Sequence, residues 1–158
     1  MNIPDTTHGA GRAARRLHDD DIDFERRFDD LCARAQMGDW HELDEVWGAF
    51  AADVEAHLAF EEDVLFPAFA KQSTDCRKLV NRLDVEHAVI RELLEEIGLS
   101  IQLHVIRVWT IEVFVELMRE HAEVENERLY PWVELEARSW SSATTDLPRR
   151  ATASGSGG

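Results

Sequence analysis

HLAFEEDVLFP, from His57 to Pro67, and HAEVENERLYP, from His121 to Pro131, are one pattern written twice. His57 answers to His121, Glu61 to Glu125, Leu65 to Leu129, Phe66 to Tyr130 and Pro67 to Pro131. Repetition at fixed offsets marks one structural unit used twice. In a helix, residues four apart lie one turn above another, about 40° apart around the axis. Each His–Glu pair therefore projects from one face. Phe50 lies about 20° from His57, and Val64 about 20° the other way. Phe114 and Trp132 flank His121 as closely. Both pairs thus sit in the middle of apolar stripes.

Outward from these segments the chain reads as four helices. The first spans about Ala13 to Met37 and stops at Gly38, with Leu17, Phe24, Phe28, Leu31 and Ala35 on one face. The second starts after Asp39, with Glu42 three positions on as a capping pair. The third begins at the caps Ser73 to Asp75 and ends at Gly98. The fourth starts after Ser100 and runs to about Ala137. All connections are short, which predicts an all-α, up-down-up-down four-helix bundle. Residues 1–12 and the Ser/Thr/Gly-rich tail 141–158 are predicted disordered, leaving 13–140 as one domain.

The third helix carries His87 midway between Val80 and Leu94, each about 20° away. Three helices therefore aim histidines at the core, and two add glutamates. A buried carboxylate must be neutralised, paired or bound to a metal, and one metal site satisfies all five groups. His18 stands at the edge of the first helix's stripe, about 100° from Leu17, with Asp21, Phe24, Phe28 and Leu31 continuing from it. It completes a candidate ligand set of His18, His57, Glu61, His87, His121 and Glu125. His41 and His104 point about 160° and 100° away from the neighbouring ligand histidine, and Glu62 about 140° from His57. The run Asp19, Asp20, Asp21 reads as solvated surface.

Composition narrows the function. The 158 residues carry 17 Lys+Arg against 32 Asp+Glu, a net charge of -15. That acid excess argues against nucleic acid and against an anionic membrane surface. The chain has no apolar run of about 18 residues to span a bilayer. Its first sixteen residues lack the apolar stretch of a secretory signal. Cys32 and Cys76 form no CxxC, and two reduced thiols suit a cytoplasmic protein.

His18…HLAFE…EH…HAEVE resembles the hemerythrin-like, HHE cation-binding domain over about residues 13–137. HLAFEEDVLFP is similar to that family's second-helix motif and EHAVIREL to its third. The resemblance implies an oxo- or hydroxo-bridged diiron centre. His18 and His57 would bind one iron, His87 and His121 the other, and Glu61 and Glu125 would bridge. Imidazole and carboxylate ligation suits iron, with zinc or manganese left open. The chain departs from the oxygen-carrying members in two places. Arg91 stands where they have a further histidine, one turn after His87, and there it would reach the pocket or pair with a carboxylate such as Asp84. The fourth helix has HxxxE where they have a longer His-to-Asp spacing. The ferritin-like plan of ExxH on two helices fits less well, its nearest approach being Asp84 three before His87.

The resemblance implies handling of O2 or reactive oxygen and nitrogen species, such as peroxide or NO. Turnover, by peroxide decomposition or ferroxidase chemistry, stays open. So do reversible O2 binding or storage and iron sensing, because fold and ligands do not choose among them. The expected partner is a small diatomic or peroxide ligand, and the expected state a monomer or weak homodimer.

Overall fold

The computed structural model describes the backbone of residues 7–145 and the side chains of residues 17–138. Four helical rods lie side by side. The first is α1 (Thr7–Met37). The second is α2 (Trp40–Phe60), which passes through one π-helical turn, Glu61–Leu65, into α3 (Phe66–Phe69). The third is α4 (Thr74–Gln102). The fourth is α5 (Val108–Val124), which passes through a second π-helical turn, Glu125–Leu129, into α6 (Tyr130–Thr145). Rod one packs on rods two and four, and rod three on rods two and four, closing an up-down-up-down bundle. No strand occurs among the described residues.

The caps act as the residue types dictate. Gly38 follows α1 with φ +78°, a left-handed conformation open to glycine. The Asp39 side chain accepts from the Glu42 amide, and the Ser73 hydroxyl oxygen from the Cys76 amide, each taking up an otherwise unpaired helix-start N–H. The helices overrun the expected outer bounds. Residues 7–12 belong to α1 and 141–145 to α6, because a formed helix propagates at little cost through Ala10 and through Ser141 to Thr145. The rest of the two segments expected to be disordered, 1–6 and 146–158, lies outside the described residues.

The third connection is displaced from its expected place. Gly98 does not end α4, which continues to Gln102, and the turn falls at residues 103–107. Gly98 has a packing role instead. A Cβ there would lie 2.9 Å from Trp47 Nε1, so the missing side chain admits the indole of rod two. The turn that a glycine was expected to make is made by His104, at φ 56°, with its ring stacked on Trp40 at 5.1 Å.

The core divides into two apolar clusters. The larger gathers Phe28, Trp47, Phe50, Val54, Ile90 and Phe114 toward one end of the bundle. The smaller gathers Leu17, Leu65, Phe66, Leu83, Leu129 and Tyr130 toward the other. Fully burying a side chain such as Phe50 or Leu83 stabilises the fold by about 1.5–3 kcal/mol. Between the clusters lies a layer of buried polar groups.

Candidate metal centre

The polar layer is built at the height of the two π turns. Glu61 and Glu125 are the first residues of those turns and are completely buried. His57 and His121 precede them by one α-turn, and His87 comes from the middle of α4. All three rings are buried. Each π turn adds one residue to the helical repeat, so the buried face downstream slips by one position. Leu65 and Leu129 are buried where an uninterrupted helix would bury Val64 and Arg128, and Val64 is 50% exposed. The expected flanks Val64 and Trp132 are thereby corrected to Leu65 and Val133.

One donor atom from each of Glu61, His87, His121 and Glu125 lies within 4.8 Å of the others. Asp21, His57 and Glu125 form a second such group. The inward atoms are the Nε2 nitrogens. His87 Nε2 is 3.0 Å from His121 Nε2 and 3.4 Å from Glu61 Oε2. His121 Nε2 is 2.8 Å from Glu125 Oε1, and His57 Nε2 is 3.4 Å from both Glu61 Oε1 and Asp21 Oδ1. The outward nitrogens are each held by a carboxylate. His87 Nδ1 donates to Glu62 at 2.8 Å, His121 Nδ1 to Glu86 at 2.8 Å, and His57 Nδ1 to Asp20 at 3.5 Å. A carboxylate behind Nδ1 fixes the tautomer and turns the Nε2 lone pair inward, the arrangement that metal-binding histidines use.

His18, expected among the ligands, is not brought into this cluster. It is exposed, and its Nδ1 lies 2.6 Å from Asn126 Oδ1. Asp21, three residues further along α1, takes the inward place, with its side chain 9% exposed. The reading of Asp21 as solvated is therefore corrected. Its spacing of 3 and 7 residues from Phe24 and Phe28 carried the signal, because it lies on their stripe and His18 lies at its edge. Tyr130 was also missed as a polar group. Its hydroxyl donates to Glu61 Oε1 at 2.8 Å and lies 3.1 Å from Glu125 Oε2. Arg91 does not reach the cluster. Its guanidinium grips Glu62 through two nitrogens at 2.8 and 3.0 Å and Glu55 through Nε at 2.7 Å, in place of the expected Asp84. His41 is exposed, and His104 sits in the turn after α4.

Electrostatics shows what this geometry demands. Burial alone would hold the histidines neutral, but the charge and hydrogen bonding of Glu61 push His57 up to about 9. Glu125 and Glu61 push His87 up to about 9, and Glu125 and Glu86 push His121 up to about 10. Burial also opposes ionisation of Glu61, yet its bonds to His57 and His87 hold it below the usual carboxylate range. Desolvation pushes Asp21 up to about 8. Burial, and then the charges of Glu125 and Glu61, raise the Tyr130 phenol far above its ordinary value. Arg91 and His87 keep Glu62 ionised. The layer thus gathers negative groups that call for positive charge, which protons on the rings supply in part.

Protons do not satisfy it fully. Glu61 Oε2 and Glu125 Oε1 are buried without a well-directed hydrogen bond, although His121 Nε2 stands beside the latter. A buried acceptor left in this way costs about 1–3 kcal/mol. The Nε2 atoms of His87 and His121 also face each other at hydrogen-bond distance, and once their protons leave they present two lone pairs to one point. A cation at that point meets both demands, so the donor set fits a metal. The aromatic rings of Phe24 and Phe66 wall the layer, at 5.4 Å from His57 and 5.1 Å from His87.

No helix among the described residues is long and apolar enough to cross a membrane. No curated protein and no solved structure matches the chain at a significant level. The profile of the hemerythrin HHE cation-binding domain matches residues 12–133, a span that begins within α1, takes in every residue of the buried polar layer and covers most of the sequence. The chain belongs to the hemerythrin HHE cation-binding domain family.

Proposed function

We propose that the chain is a non-haem diiron protein that handles O2 or peroxide in the polar layer between its two apolar clusters. The observation that carries this reading is the convergence of three carboxylate-backed Nε2 atoms on two buried glutamates, each with an unsatisfied oxygen. Glu61, His87, His121 and Glu125 would hold one metal. Asp21, His57 and Glu125 would hold the other, with Glu61 beside His57. Asp21 stands where the sequence suggested His18. When bound, iron supplies one-electron redox change and Lewis acidity toward an oxygen ligand.

The protein's own residues favour turnover over reversible carriage. Asp21, Glu61 and Glu125 make the donor set rich in hard oxygen, which stabilises the ferric state. Arg91, at the place of the carriers' additional histidine, is occupied with Glu62 and Glu55 and offers no ligand. An exogenous molecule would therefore meet no protein donor from that position. A cavity of about 410 Å³ between α1 and α5, lined by Phe24, Phe28, Phe114 and Met118, reaches the layer at Asp21 and gives a small apolar molecule a way in.

Spectra of the iron-loaded full chain test this, recorded after O2 and then after hydrogen peroxide. We expect about two irons per chain, rapid oxidation of the ferrous form by O2, and catalytic loss of peroxide. A ferrous protein that takes up and releases O2 unchanged for hours, and leaves peroxide untouched, would return it to the carrier, storage or sensing class. A folded chain with no affinity for iron would overturn the metal reading.

A further inference from the structure

We propose that Tyr130 is itself a metal ligand and completes the half of the centre that contains His57. This rests on the reading of the polar layer as a metal centre. The Tyr130 hydroxyl lies 2.8 Å from Glu61 Oε1, 3.1 Å from Glu125 Oε2, 3.5 Å from His57 Nε2 and 3.5 Å from Asp21 Oδ2. Its oxygen therefore stands among four candidate ligands contributed by three of the four rods. A hydroxyl has one proton to donate, and three carboxylates face it. A single O–H does not satisfy them, and a cation shared by the oxygen and the carboxylates does.

Two further features place this role in Tyr130. The first is register. In a π turn, residues five apart lie nearly above one another, so Tyr130, five after Glu125, comes to the same face as that glutamate. Its counterpart in the repeat, Phe66, is five after Glu61 and takes the matching place in rod two, where its ring packs against His87. The two halves of the repeat thus differ at this position by one oxygen atom. The second feature is donor count. The half holding His87 and His121 has two imidazoles, and it receives the phenyl ring. The half holding Asp21 and His57 has one imidazole, and it receives the phenol. The ring of Tyr130 is locked in the smaller apolar cluster and is 4% exposed, so the oxygen cannot swing away. On ligation the O–H bond breaks as the oxygen–metal bond forms. The proton passes to water by way of Asp21, at the inner end of the cavity between α1 and α5.

The test is resonance Raman and visible spectroscopy of the full chain loaded with ferric iron, with iron counted in the same sample. A phenolate bound to ferric iron gives a charge-transfer band in the visible and ring vibrations enhanced on excitation into it. Tyr130 is the chain's single tyrosine, so such a signal has one possible source. We expect the band in the wild type, with its vibrations shifted by ring-deuterated tyrosine. Tyr130→Phe should lose the band and weaken binding of one iron roughly tenfold or more, with circular dichroism confirming the fold. Iron bound with no tyrosinate signature in the wild type overturns this inference and leaves the metal centre standing. A chain that binds no iron overturns both. The wild-type spectrum decides the matter even where the variant folds poorly.

Discussion

His87 Nε2 and His121 Nε2 face each other at 3.0 Å across the bundle, one from rod three and one from rod four. At that distance one ring can donate an N–H to the other, or a cation can be shared by both, and each ring is held in place by a carboxylate on its far nitrogen.

The ligand set is the first thing to test. His121→Ala, Glu125→Ala and Asp21→Ala should each lower the iron content of purified protein from about two per chain. His18→Ala, His41→Ala and His104→Ala should leave it unchanged. Equal loss of iron from the His18 and Asp21 variants would mean that α1 turns differently on metal binding.

The carboxylates behind the histidines should tune affinity without binding metal themselves. Glu62→Gln removes the anion that orients His87 and that Arg91 holds in place. Competition against a chelator should show iron bound about 10–100-fold more weakly. Wild-type affinity in that variant would mean that packing alone orients the ring.

The pH dependence of stability should have opposite signs with and without metal. In the metal-free protein His57 and His87 sit at about 9 and His121 at about 10, against an ordinary 6.5. The stability they contribute is complete below 6.5 and is lost as pH rises through 9 to 10. Asp21, raised from 3.8 to about 8, also keeps its proton longer in the folded state, so stability falls as pH rises from about 4 to 8 as well. Metal binding requires the same protons to leave and strengthens as pH rises. The melting temperatures of iron-loaded and metal-free protein should therefore diverge between about pH 6 and 9. A constant gap would mean that the rings are already neutral.

Gly98→Ala should destabilise the fold by about 1–3 kcal/mol by urea titration, because its Cβ would meet the Trp47 indole inside a packed helix interface. Iron content should not change, since neither residue belongs to the polar layer. A neutral effect would show that the Trp47 side chain yields without cost.

The bundle and five inward groups were legible because periodicity is a strong signal. His57, Glu61, His87, His121 and Glu125 lie on stripes of large apolar residues. What escaped depends on departures from the regular helix. Phase arithmetic at 100° per residue fails across a π turn, so Val64 reads as part of the apolar stripe, and Tyr130 stands out only as the counterpart of Phe66 in the repeat. A trace of the turns is nevertheless present. His57, Glu61, Leu65 and Phe69 are spaced by four throughout, as are His121, Glu125, Leu129 and Val133. A straight α-helix would fan each set over about 120°. The choice between His18 and Asp21 misled for another reason. Residue type favoured the histidine, while geometry placed the aspartate, which looked like one of three solvated neighbours.

The paired π turns also bear on how such a centre arises and disappears. Each turn holds one residue more than the α-helix around it, and both occur at the same height of the bundle. Removing one codon within Glu61–Leu65 would restore a plain α-helix there and carry Phe66 and Phe69 about 100° round the rod. The helix would survive, but the wall behind His87 would not. The same deletion within Glu125–Leu129 would carry Tyr130 away from the two glutamates. Single-residue insertions and deletions at these two sites thus turn whole sets of buried side chains behind the polar layer, which gives them more leverage over its surroundings than most point substitutions have.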